Sequence, residues 1–393
     1  MVPALRRPKL RPVEAIFVQD AERGPVIVLR DTEGIAPGAV LVPAEWSEVL
    51  ARFNGMRSVE EIARDASRAG SPRVTAAMVA GLAGELDRAF MLESPSFWAR
   101  RREVVQAFVD APVREAAHAG GSYPGDRAGL VDFIESRCFA EAERAAAGTT
   151  PVEARLFGLC APHMDLWRAA AGYGRAYGAL ARALSSPAGA SVDTFVLLGT
   201  SHAAMRRPYA VCDKAFATPL GELLPDRAFI AELAEQSRFD IREEQHLHKT
   251  EHSLEFQVIF LQHLLGGCPA TIVPVLCGVP SLRDPAGDDL AESFLCALRA
   301  AIARRDGRAM VIAGADLAHV GPRFGDAAPL GGSGRDALRR RDHESIARAT
   351  ELDALGFFAH VASDLATRRV CGLGPIYTLL RAMPAHARGE LLD

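Results

Sequence analysis

The chain has 393 residues, 49% of them hydrophobic and 24% charged, with a formal net charge of −4. That length suits two domains, one of them large, with enough apolar residues for a sizeable core. The small negative charge excludes a general attraction to nucleic acid, and the arginine runs 100–102 and 339–341 read as solvated helix faces because no exposed aromatics interleave them.

From the N-terminus, Met1 to Arg7 offers no apolar core for a secretory signal, and no later apolar stretch reaches the ~18 residues of a membrane span. Val13 to Phe17 and Val26 to Leu29 predict short strands. Pro43 to Phe53 carries Trp46, Val49, Leu50 and Phe53 at helical spacing. Ser58 followed by Glu61 is a capping box, so a helix starts there. Ala76 to Phe90 predicts another helix, with Met78, Val79, Leu82, Leu86 and Ala89 on one face. Strands followed by short helices describe a small winged-helix-like domain over residues 1–100. Residues 95–112 predict a connecting helix, with 101–112 as the linker, broken at Ala111-Pro112.

From 113 to 393, strands and helices alternate, which predicts an α/β domain built on a central, mainly parallel sheet flanked by helices. Helices are expected at 129–147, 168–184, 228–235, 254–265, 288–303, 335–349 and 374–383, and further strands at 270–276 and 369–371. The helix at 254–265 reads as amphipathic, with Leu254, Val258, Leu261 and Leu265 on one face. Three more apolar runs each lead into a histidine: 155–162 into His163, 194–201 into His202 and 310–318 into His319. Continuous apolar runs closed by small residues are buried parallel strands, and ligands sit beyond the carboxyl ends of such strands. Three histidines delivered to one edge make a metal or acid/base site, and Asp316 beside His319 suits ligation or orientation of an imidazole.

Two local motifs compete for the same chemistry. His248-Lys249-Thr250-Glu251-His252 matches H-x-x-E-H, which on one continuous helix grips zinc with two histidines and uses Glu251 as base, as in a metallopeptidase. The charged stretch before it, Glu243-Glu244-Gln245, gives that helix no apolar support. Cys371-Gly372 lies at a strand-to-helix turn, where a helix N-terminus favours the thiolate. With two neutral imidazoles, Cys371 completes a His/His/Cys set for a metal softer than magnesium or calcium. The seven cysteines are odd in number, lack a CxxC pair and mostly lie in apolar runs, which predicts a reducing, cytoplasmic setting and buried thiols. No G-x-S-x-G elbow, Walker A loop or Rossmann glycine triplet is present, and Ser201 cannot easily face the adjacent His202.

The segment 53–63 with the helix ending near Met91-Leu92 resembles PqqD-like domains, which implies peptide recognition beside a radical-SAM enzyme. From Arg114 onward the ordered set Arg114 to Pro124, Ala161-Pro162-His163, Gly199 to His202, Thr218 to Gly221, Glu251 to Glu255, Asp316 to His319 and Cys371-Gly372 resembles the Memo family, in bacteria AmmeMemoRadiSam system protein B. The resemblance implies a fold similar to class III extradiol dioxygenases. It implies one transition-metal ion (iron, copper or zinc) on His163, His202 and Cys371, with Asp316, His319, His252 and Glu251 as neighbouring acid/base groups. It also implies a radical-SAM protein and an AMMECR1-like protein as partners, and a redox or dioxygenase-like activity. Two departures stand out: Met164-Asp165-Leu166-Trp167 follows His163, where Asp165 adds a carboxylate near the site, and Gly199-Thr200-Ser201 precedes His202. Ring-cleaving dioxygenases use a glutamate where Cys371 stands, and a thiolate changes metal preference and redox potential. The rival readings are a non-catalytic peptide- or partner-binding module and the zinc peptidase on His248, Glu251 and His252.

Overall fold

The computed structural model describes residues 3–68, 74–140, 155–187, 189–326 and 328–393. It divides into two compact units, Met1–Asp110 with Gly321–Ala328, and Ala111–Val320 with Pro329–Asp393.

In the first unit, strands β1 (Glu14–Asp20), β2 (Gly24–Arg30) and β3 (Val40–Pro43) form an antiparallel meander. Helices α1 (Val59–Arg68), α2 (Ala76–Arg88) and α3 (Pro95–Asp110) follow. The α1 start has the reciprocal bonds of a capping box: the Ser58 amide donates to Glu61 at 2.7 Å and the Glu61 amide to Ser58 Oγ at 3.3 Å. Ile27, Val42, Val49, Ile62, Val79 and Leu86 build one core. The helix expected over 43–53 is only a 3₁₀ turn, Ala44–Trp46, and one α turn, Ser47–Leu50. Its four apolar residues are too few to bury a longer face.

The second unit is built on an eight-stranded sheet in the order β4-β8-β9-β10-β6-β11-β5, with β7 also on β10. These strands are β4 (Val113–Arg114), β5 (Gly158–Ala161), β6 (Thr194–Thr200), β7 (Tyr209–Val211), β8 (Ala215–Thr218), β9 (Gly221–Pro225), β10 (Thr271–Cys277) and β11 (Ala309–Gly314). The centre, β10-β6-β11-β5, is parallel, whereas β8 and β9 form an antiparallel hairpin and β7 runs antiparallel to β10. All seven residues of β6 are buried because helices cover both faces, which is why the strand reads as an unbroken apolar run. Helices α4 (Arg127–Phe133), α5 (Leu166–Ser185), α6 (Arg227–Gln236), α7 (His252–Leu265), α8 (Asp289–Arg304), α9 (Gly332–Thr350), α10 (Ala354–Ala362) and α11 (Leu373–Ala382) complete the unit. Among the described residues, no helix is long and apolar enough to cross a membrane.

Three local expectations need correction. Residues 369–371 are not a strand: Arg369, in the left-handed region at φ 51°, ends the short helix Leu365–Arg368 and turns the chain into α11. The helix α7 is buried over nine consecutive residues, Ser253 to Leu261, so it is a central helix and not an amphipathic one. The helix expected over 129–147 begins as α4 and passes into a π-helical stretch, Ile134–Phe139; its residues 141–147 lie outside the described ones.

Candidate metal centre

The carboxyl ends of β5, β6 and β11 lie side by side, and His163, His202 and Asp316 follow them within two residues each. The N-terminus of α7 is laid across this edge. Its approach is close enough that a Cβ on Gly199 would sit 2.6 Å from both Leu254 Cγ and Ser253 Oγ. A Cβ on Gly314 would sit 2.5 Å from the Ser253 carbonyl. Ser253 Oγ in turn donates to the Thr200 carbonyl at 2.9 Å, which ties α7 to the end of β6. The two glycines therefore let a helix carrying Glu251 and His252 reach the strand ends that carry the other histidines.

Each ligand candidate is oriented by a named partner. His163 Nδ1 faces the Gly314 carbonyl at 3.0 Å, so Nδ1 keeps its proton and Nε2 is the nitrogen turned toward the thiolate and open to a metal once its own proton is lost. The His163 amide donates to Asp316 Oδ1 at 3.0 Å. His202 Nδ1 lies 3.1 Å from both oxygens of Glu251, and the His202 amide donates to Glu251 Oε2 at 2.9 Å. A carboxylate on one ring nitrogen fixes the tautomer and turns the other toward a metal. Cys371 Sγ lies 3.3 Å from His163 Nε2. One ligand atom each from His163, His202 and Cys371 falls within 4.8 Å of the others. A tetrahedral ion with metal–sulfur and metal–nitrogen bonds near 2.3 and 2.0 Å holds such atoms roughly 3.3–3.6 Å apart.

The charges follow from this crowding. Burial alone would push the Cys371 thiol up, but the His163 charge and hydrogen bonds from His163, His202 and His319 bring it down to about 3. Burial opposes the His163 cation, yet Cys371 and Asp316 raise it to about 9; burial opposes the His202 cation, yet Glu251 raises it to about 10. Burial works against the Glu251 carboxylate, but His202 and His252 hold it well below the usual range. The thiolate and carboxylate of this cluster are thus balanced by imidazolium protons, a charge that a divalent cation would also balance. Asp316 Oδ2 is buried, has no hydrogen-bond partner among the described residues and lies 3.6 Å from His163 Nε2. Such an orphaned acceptor costs about 1–3 kcal/mol, so an unpaired oxygen facing the cluster fits a site built for a cation.

His319 stands at the rim. Its Nδ1 is on the Leu317 carbonyl at 3.0 Å, and its bond to Cys371 raises its pKa. His252 stacks on His202 with centroids 4.6 Å apart; burial pushes it down to about 3, against the pull of Glu251, so it is neutral.

The H-x-x-E-H reading fails on geometry. Gln245–Lys249 is a 3₁₀ helix, Thr250 breaks it, and Glu251 caps α7 by accepting from the Ser253 amide at 2.9 Å. His248 and His252 therefore share no helical face, and His248 Nε2 is spent on the Ala210 carbonyl at 3.0 Å. Asp165 adds no carboxylate to the cluster: it caps α5, accepting from the Arg168 amide at 3.2 Å. All the cysteines are free, but Cys160, Cys268 and Cys296 are exposed, contrary to the expectation of buried thiols for most.

Sequence reasoning gave no role to Arg114, His118 and Glu255. Arg114 and Glu255 form a fully buried ion pair. Arg114 donates to the carbonyls of His248 and Glu251 at 2.9 and 2.7 Å, and Glu255 accepts from the amides of Ala117 and His118 at 3.0 and 2.9 Å. With every bond satisfied, the pair holds Glu251 and the His118 loop in place. The available signal was Glu255, the one charged residue inside the run 254–261, which is apolar apart from it and Gln257.

Residues 114–393 match the family described as Memo-like protein. A MEMO1 family protein of Aquifex aeolicus is 26% identical over 389 residues, covering 98% of this chain and 94% of that protein. A MEMO1 family protein of Thermus thermophilus is 29% identical over 327 residues, covering 82% and 89% respectively. The Protein memo-1 homolog of Caenorhabditis elegans is 26% identical over 222 residues, or 54% of this chain and 59% of that one.

Proposed function

The chain belongs to the Memo family, and from that premise we propose that it is a metalloprotein in which His163, His202 and Cys371 hold one transition-metal ion. The observation that carries this reading is the shared orientation of the two imidazoles: acceptors on both Nδ1 atoms leave two Nε2 atoms and a thiolate as the free donors. One sulfur and two nitrogens favour iron, copper or zinc over magnesium and calcium. Such an ion, when bound, supplies Lewis acidity and, if iron or copper, one-electron chemistry. The chain's own groups do the rest. Glu251 fixes the His202 ring, Asp316 fixes His163 through its amide, and His252 and His319 hold or release protons beside the thiolate. An oxidoreductase related to the non-haem dioxygenases is the catalytic form of this reading. The free state of all the cysteines supports a reducing, cytoplasmic setting.

In the same reading the N-terminal unit is a PqqD-like module for a peptide, and the protein acts with a radical-SAM protein and an AMMECR1-like protein. The Aquifex aeolicus relative aligns over 98% of this chain, so a MEMO1 family protein shares the N-terminal region. Co-purification of the full chain with such a partner tests it; recovery of the protein alone from cells holding the partner counts against it.

The metal assignment is tested by metal content after purification without added metal, for the wild type and for His163→Ala, His202→Ala and Cys371→Ala. Loss of the thiolate-bound equivalent in each variant is the expected result. Stoichiometric metal surviving all three changes refutes the assignment.

A further inference from the structure

A second set of donors adjoins the thiolate site and shares His202 with it. Glu251, His252 and His202 each offer an atom within 4.8 Å of the others. His202 Nδ1 lies 3.1 Å from Glu251 Oε1, and His252 Nδ1 lies 3.4 Å from the same oxygen. Metal–ligand bonds near 2.1 Å place neighbouring donor atoms roughly 3.0–3.5 Å apart, in octahedral and tetrahedral geometry alike. The two rings stack at 4.6 Å with 22° between their planes, so both Nδ1 atoms address the carboxylate from the same side. His252 is held there by Phe256 and His118, at ring separations of 5.3 and 5.6 Å. Glu251 is held by the amides of His202 and Ser253. The histidine side chains are 35% and 29% exposed, which leaves a route for an ion and open positions for its other ligands.

We propose that Glu251, His252 and the Nδ1 side of His202 form a second divalent-cation site that shares the His202 ring with the thiolate site. The inference rests on the metal reading above, since His202 Nε2 belongs to the first site. Two histidines and a carboxylate are a harder set than His/His/Cys, suited to Fe(II), Mn(II), Co(II) or Zn(II) with positions left open. Filling both sites would take the His202 ring from imidazolium to a bridging imidazolate: its Nε2–H and Nδ1–H bonds break, a metal bond forms at each nitrogen, both protons pass to water, no electron changes hands, and Glu251 turns from hydrogen-bond acceptor to ligand. His202 then bridges two unlike centres, one with sulfur and one without.

The test is an anaerobic titration of the metal-stripped full chain with Co(II), read by absorption and by bound cobalt after desalting. Two equivalents are expected, one accompanied by a thiolate-to-cobalt charge-transfer band and one without it. His252→Ala should bind one equivalent and keep the band, while Cys371→Ser should bind one equivalent and lose the band. A single equivalent in the wild type, or two in His252→Ala, overturns the second site. Absence of the band from the wild type instead overturns the thiolate site, so the two failures are distinguishable. Should His252→Ala not fold, His252→Phe keeps the ring packing without a donor, and the same outcomes apply.

Discussion

Replacing Glu251 by glutamine isolates the orientation of His202 from its presence. The carboxylate accepts from the amides of His202 and Ser253, each at 2.9 Å, and both its oxygens lie 3.1 Å from His202 Nδ1. A glutamine offers one carbonyl oxygen and an NH₂ to the same three N–H groups, so at least one buried donor loses its acceptor. That costs about 1–3 kcal/mol of metal-free stability. Losing the carboxylate behind a metal-bound imidazole typically costs 10–100-fold in metal affinity, or about 1.4–2.7 kcal/mol. The assay is competition with a chelator for Co(II), following only the thiolate charge-transfer band, beside urea denaturation of the stripped protein. Affinity within twofold of wild type and an unchanged denaturation midpoint would show that Glu251 does not orient His202.

Further expectations follow from single positions. Gly199→Ala places a Cβ 2.6 Å from Leu254 Cγ and Ser253 Oγ, so α7 must back away from β6 at about 1–3 kcal/mol, with weaker metal binding; urea midpoints equal to wild type would contradict the close approach. His248 is buried and pushed from 6.5 down to about 3, chiefly by desolvation, so it is neutral when folded. The unfolded chain therefore takes up its proton first as pH falls below 6.5, and stability drops, by roughly 2 kcal/mol at pH 5 from this group. His248→Gln should flatten that pH dependence and leave metal content unchanged; an equal slope, or lost metal, would contradict the placement. Arg114→Met, which strands the buried Glu255 carboxylate, should destabilise by about 3–5 kcal/mol, measured by urea denaturation, and a wild-type midpoint would refute the buried pair.

The strand that carries His202 was legible because a strand buried on both faces is apolar throughout; the one before His163 lies at the sheet edge with Cys160 exposed, yet its short apolar run closed by Pro162 marked it as well. His319 was legible in the same way, although it lies five residues beyond the end of β11 on a loop pinned by the Arg368 carbonyl at 2.7 Å. Cys371 was found by its neighbours and misplaced in structure, since a left-handed residue such as Arg369 has no sequence mark when it is not glycine. The hairpin β8–β9 and the short strands β4 and β7 were missed because two to five residues are too few to show a period. The partnership of Glu251 with His202 was beyond reach for another reason: it joins positions 49 residues apart, and the local motif tied Glu251 to His248 instead.

X-ray absorption at the edge of the metal bound by the anaerobically purified protein tests the central claim most directly. The expected spectrum has one sulfur neighbour near ~2.3 Å together with imidazole scattering, and the sulfur contribution vanishes in Cys371→Ser. A first shell of oxygen and nitrogen alone, or a sulfur contribution that survives Cys371→Ser, would contradict the assignment of the ion to His163, His202 and Cys371.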